Sequence, residues 1–123
     1  MQPYAYLQVA LGGAIGATAR FAVYRLIGLT GFPLATVVVN VLGSFVMGLL
    51  VAVLAARGGN ALAPLLMTGI LGGFTTFSTF SLDALSLWQR GDHGAAMVYV
   101  CVSVMLSLAA VVAGLSLGRG IIA

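Results

Sequence analysis

The chain has 123 residues, 62% of them hydrophobic and 6% charged, with a mean hydropathy of +1.19. A soluble domain carries about a quarter charged residues, so this composition excludes one and describes an integral membrane protein. The net charge of +3 rests on five arginines against two aspartates, with no lysine or glutamate; such arginines at segment ends read as interfacial anchors, not as a nucleic-acid surface.

Four apolar segments follow one another, at 4–26, 33–56, 62–88 and 95–117. Each meets the ~20 residues needed to cross a bilayer. The breaks are short. GLTGF (28–32) precedes Pro33, a residue suited to a helix start. RGGN (57–60) reads as a tight polar turn, and QRGDHG (89–94) is the most polar stretch. The expectation is one all-α membrane domain over 1–123, with four transmembrane helices and both termini on one side. No secretory signal is expected, because the first apolar run lacks a basic leader and continues past a normal signal core. The lone Cys101 has no intrachain partner and reads as a buried inert thiol.

The third segment carries GILGGFTTFSTFS (69–81), with three threonines, two serines and three phenylalanines. A helix in hydrocarbon gains nothing from so many hydroxyls, and polar backbone at that depth is tolerated where it lines a cavity or is buried in protein. The segment is also long, and Gly72 and Gly73 each cost about 1 kcal/mol relative to Ala. A third helix broken at mid-membrane beside this pair accounts for both features; a tilted continuous helix with packing glycines is the alternative. The arginines give almost no orientation bias: Arg57 and Arg119 fall on the side of the termini, Arg25 and Arg90 opposite, with Arg20 near the apolar run. Either both orientations insert and pair as an antiparallel dimer, or one topology is fixed by other features.

Polar residues recur at helical spacing. Thr36, Asn40 and Gly43 share a face of the second segment, and Asn40 brings two N–H donors and a carbonyl acceptor. It serves either as interhelical glue or as a functional donor. Tyr99, Ser103 and Ser107 form a stripe on the fourth segment. Phe77 and Phe80 are three apart, and aromatic rings have a positive edge that tolerates an anion in a narrow passage. Gly12 and Gly16 form a small-residue pair that admits a close neighbour. Arg20 either acts at membrane depth or snorkels to the interface.

No acidic residue lies in the first, second or fourth segment; Asp83 lies toward the end of the third, and His93, the one histidine, is in a loop. No nucleophile–base pair is recognisable, which argues against an enzyme. A proton-coupled exporter commonly relies on a mid-membrane carboxylate, so that class is disfavoured. A neutral inventory of amide, hydroxyls, ring edges and backbone suits a pore that replaces the hydration of a small ion. A non-transporting membrane assembly subunit is the remaining alternative.

Three stretches resemble the CrcB/Fluc family of fluoride channels: GGAIGATAR (12–20), ATVVVNVLGSFVMG (35–48) and GILGGFTTFSTF (69–80). Ala35 and Phe21 are mild departures from the family's pattern. The resemblance implies a bacterial plasma- or inner-membrane protein that exports fluoride passively as an antiparallel dual-topology homodimer with two pores. It implies Asn40, Phe77, Phe80, Tyr99, Ser103 and Ser107 in the pore, with a contribution from the Thr79 hydroxyl and an electrostatic one from Arg20. It also implies a structural sodium ion at the dimer interface, held by the backbone carbonyls of Gly72 and Thr75 from both subunits. Fluoride, a second copy and the lipid bilayer are the implied partners, and nucleic acid is not.

Overall fold

A computed structural model describes residues 3–58 and 60–122, so Gly59 of the expected 57–60 turn lies outside the described residues. The described residues are helical throughout apart from short connections. Helix α1 is Tyr4–Ile27 and α2 is Leu34–Arg57. A π-helical run, Pro64–Leu71, passes into the single turn α3, Gly72–Phe74. After two extended residues comes α4, Phe77–Gln89, and then α5, His93–Ile122. Among the described residues, Leu34–Arg57, Pro64–Gln89 and His93–Ile121 are long and apolar enough to cross a membrane. At 24 residues α1 is long enough too, but Tyr4, Tyr6, Gln8, Arg20, Arg25 and its glycines dilute its hydropathy.

The helices pack as two parallel pairs. In the first, α1 runs alongside the π-helical run and α3: Gln8 donates to the Ala61 carbonyl at 3.0 Å, and further along Arg20 reaches the Thr75 carbonyl. A Cβ on Gly12 would lie 2.5 Å from the Leu65 carbonyl oxygen, and one on Gly73 would lie 2.8 Å from that of Gly13. Bare backbones therefore meet, which is what small-residue spacing permits. In the second pair, α2 and α5 cross in the same way, with Gly48 against Val111 and Gly114 against Phe45. The two pairs join at one end of the bundle, where Val37, Leu87, Ala96 and the fully buried Tyr99 form the core with Phe32 and Phe80 packed on it.

Two expectations change here. The extended residues are Thr75 and Thr76, while Gly72 and Gly73 remain helical. Gly73 is needed for the close contact with α1 and does not end the helix. Cys101 is exposed and not buried. Helix α5 is apolar all round, so apolarity does not reveal which of its faces points inward. The outer surface carries many exposed large apolar side chains, among them Leu7, Phe21, Leu82, Met105 and Leu108, as expected where lipid or a second subunit replaces water.

Candidate functional site

The interruption of the third span organises the site. Thr75 has φ −87° and ψ 157°, and Thr76 has φ −151° and ψ 122°, both extended. An interruption of this kind strands backbone groups that a helix would pair among themselves. Local and distant partners take them up. The Thr75 N–H and hydroxyl both donate to the Leu71 carbonyl, at 3.0 and 2.9 Å. The Thr76 hydroxyl accepts from the Thr79 N–H at 3.2 Å and so caps the start of α4. The distant partner is Asn40, whose Oδ1 accepts the Thr76 N–H at 2.8 Å while its amide donates to the Thr76 carbonyl at 3.0 Å. One carboxamide thus replaces the helical partner of the Thr76 N–H and adds a donor to its carbonyl, which as the N-cap carbonyl also takes the first bond of α4. In an unbroken helix the Thr76 N–H would go to the Gly72 carbonyl, so the Asn40 bond releases that oxygen. The Thr75 carbonyl accepts from the Arg20 guanidinium at 3.4 Å.

Beside the interruption, α2, α4 and α5 enclose an open groove of about 350 Å³. Asn40, Ser44, Thr75, Thr76, Phe77, Phe80, Ser103 and Ser107 supply its polar and aromatic lining, and Gly43 lets the Thr75 side chain pack against α2. Among the described residues, no carboxylate lines it. Asn40 has spent one of its two amide protons on Thr76. Ser103 is 5% exposed, and its hydroxyl has no hydrogen-bond partner. Buried polar groups are normally paired, so a hydroxyl left open at a groove marks a place for a ligand. The Phe77 and Phe80 ring centroids are 5.7 Å apart. Phe77 is 79% exposed.

A second hollow, of about 200 Å³, lies between the 28–33 loop and the end of α4, with Thr36 and Asp83 in its wall. Asp83 Oδ2 accepts from the Thr36 hydroxyl at 2.7 Å and from the Tyr99 hydroxyl at 3.0 Å. With the Thr36 proton committed, the Tyr24 hydroxyl 2.6 Å away is the donor to Thr36. The Tyr99 ring stacks on Phe80 with centroids 5.3 Å apart. Phe80 and Tyr99 therefore stand between the two hollows.

Of the residues expected to act together, the structure gathers Asn40, Phe77, Phe80, Ser103 and Ser107 around the groove. Tyr99 sits behind Phe80 and turns its hydroxyl to Asp83. Thr79 does not line the groove, and its recorded bond is the backbone cap to Thr76. The role of Thr76 and the pairing of Thr36 with Asp83 are not among the expectations, which place Thr36 on the face of Asn40 and Asp83 toward the end of the third segment without joining them.

The fold and site define a multi-pass membrane protein with a neutral polar groove. Residues 7–115 match the family described as CrcB-like protein, Camphor Resistance (CrcB), and the chain belongs to that family. It is 60% identical over 122 residues to the "Fluoride-specific ion channel FluC" of Paracoccus denitrificans (strain Pd 1222), covering 98% of each chain. It is 58% identical over 118 residues to the protein of the same name from Cereibacter sphaeroides (strain ATCC 17029 / ATH 2.4.9), covering 93% of this chain and 94% of that one. With the Ruegeria sp. (strain TM1040) protein of that name the identity is 49% over 120 residues. These relatives and the apolar helices make it a multi-pass bacterial membrane protein.

Proposed function

We propose that this protein is a passive, fluoride-selective channel and not an enzyme, and that it works as an antiparallel dual-topology homodimer with two pores. The observation that carries the reading is a groove lined both by Ser103, whose buried hydroxyl is unpaired, and by Asn40, which has one amide proton left. The names of its relatives supply the ion.

Fluoride is small and strongly hydrated, and it accepts hydrogen bonds readily. A passage must replace its water without holding it too tightly. The Asn40 N–H, the Ser103 and Ser107 hydroxyls and the edges of Phe77 and Phe80 supply donors and positive ring edges in series. The larger chloride does not fit where a rigid wall sets the width. The groove is open along one side in the protomer, and an opposed second copy is the proposed cover for it and for exposed Phe77. An inside-negative potential drives a monovalent anion outward by about 2.3 kcal/mol per ~100 mV. That supports a gradient of roughly 50-fold at about 1.4 kcal/mol per tenfold, enough to empty a cell of fluoride that entered as neutral HF. Proteoliposomes loaded with fluoride and chloride should lose fluoride and keep chloride; equal loss of both overturns the selectivity.

The interruption also suits a structural sodium ion. Carbonyl oxygens are hard ligands for a hard cation, and the Asn40–Thr76 pair releases the Gly72 carbonyl for that use. Thr75 would add a second carbonyl, one lone pair of which already serves Arg20. Sodium there would neutralise stranded carbonyls where two protomers meet. Native mass spectrometry should show a dimer retaining sodium, and C-terminal tags should label from both membrane faces. A stable monomer, or labelling from one face alone, refutes this assembly.

A further inference from the structure

We infer that Asp83 is a built-in competitor of the permeating anion: its carboxylate occupies the Thr36 and Tyr99 hydroxyl donors behind Phe80, at the second hollow, and fluoride passes by displacing it. The inference rests on the channel reading and adds a residue that reading does not use.

Phe80 lines the groove and packs on Tyr99, whose hydroxyl bonds Asp83 in the wall of the second hollow, so the route we infer from one to the other passes the Tyr99 hydroxyl. That hydroxyl is not free. It donates to Asp83 Oδ2 at 3.0 Å, and the Thr36 hydroxyl donates to the same oxygen at 2.7 Å. A hydroxyl has one proton. Both donors are therefore committed to an anion the protein carries itself. Among the described residues nothing donates to Asp83 Oδ1, and the residue lines the second hollow. The Tyr24 hydroxyl donates to Thr36 and so holds it in register with the carboxylate. The other charged residue lining this hollow is Arg90, which is already engaged by the Gly31 carbonyl at 2.9 Å and Asp92 at 3.3 Å.

The arrangement opposes an arriving anion twice, by occupying its donors and by like charge, which acts strongly where water is scarce. Fluoride, the smallest and strongest acceptor among the halides, is the one best able to take the hydroxyls from a carboxylate. Asp83 thereby adds to selectivity as well as limiting rate. Asp83→Asn removes the charge and keeps the shape, and its own N–H groups can bond to Thr36 and Tyr99 while those hydroxyls turn to the ion.

The test is fluoride efflux from proteoliposomes bearing wild type, Asp83→Asn or Asp83→Glu, with chloride followed in parallel. Asp83→Asn should release fluoride faster, by about tenfold for one removed charge at close range, and should leak more chloride than the wild type. Asp83→Glu, which keeps the charge, should stay near the wild-type rate. An Asp83→Asn protein that folds and conducts at or below the wild-type rate overturns the inference. A readout that does not depend on that variant folding comes from infrared difference spectra. Asp83 and Asp92 are the only acidic side chains, so an Asp92→Asn protein carries one side-chain carboxylate. Adding fluoride should shift its stretching band and adding chloride should not; no shift overturns the inference. Wild-type liposomes that release no fluoride sink the channel reading itself, whatever the Asp83 variants do.

Discussion

Asn40→Ala should abolish fluoride release and also destabilise the protein. The two effects have one origin. Asn40 holds the Thr76 N–H at 2.8 Å and the Thr76 carbonyl at 3.0 Å, and Thr76 is 7% exposed. Removing the carboxamide leaves the buried Thr76 N–H without a partner, at about 1–3 kcal/mol, and takes a donor from its carbonyl, which keeps the first bond of α4. The interruption then either rewinds toward helix, carrying Phe77 and Phe80 around with it, or stays open and unpaired. Both outcomes misplace the groove. Asn40→Asp separates the contributions. It keeps the acceptor for the Thr76 N–H but loses the donor and adds a negative charge at the groove. Asn40→Asp should therefore fold better than Asn40→Ala and conduct no more. The measurements are thermal unfolding in detergent and fluoride efflux from liposomes. An Asn40→Ala protein with wild-type stability would show that the Thr76 backbone has other partners.

The same residue shows how far the sequence can be read. The long apolar runs need only composition and length, so the spans are legible. The interruption is signalled by its hydroxyls, yet its position is set by Asn40, 36 residues away in the chain. No local pattern carries that pairing. Gly72 and Gly73 point to a break one turn too early, because glycine has two uses in a membrane helix: it weakens the helix, and it lets backbones touch. At Gly73, facing the Gly13 carbonyl, the second use prevails. The Tyr99–Ser103–Ser107 stripe drifts for a geometric reason. At 3.6 residues per turn, each step of four rotates the face by about 40°. Tyr99 thus points well away from Ser107, into the core toward Asp83, while Ser103 and Ser107 remain at the groove. Asp83 reads from the sequence only as a carboxylate toward the end of the third segment, whereas it accepts from two hydroxyls, those of Thr36 and Tyr99, with Tyr24 bonded in turn to Thr36.

Phe77→Ile should leave the protomer's stability nearly unchanged and reduce fluoride efflux by about 100-fold or more, on the scale of about 2.7 kcal/mol or more at about 1.4 kcal/mol per tenfold. The structural half follows from burial. Phe77 is 79% exposed in the protomer and tilts against Phe80 without joining the buried core, so a smaller apolar side chain forfeits little packing there. The functional half follows from charge distribution. Isoleucine is as apolar as phenylalanine but has no positive ring edge to set against an anion. A passage lined only by apolar methyl groups gives a dehydrated ion nothing in exchange for its water. The paired result is what discriminates: lost flux in a protein that melts as the wild type does assigns the ring to conduction. Wild-type efflux in Phe77→Ile would remove the ring edge from the mechanism and leave the Asn40 amide and the Ser103 and Ser107 hydroxyls to carry it. Phe80→Ile provides the contrast, because Phe80 packs against the fully buried Tyr99 at 5.3 Å. Its substitution should lower stability and flux together, and efflux alone would not tell a lost donor from a displaced Tyr99.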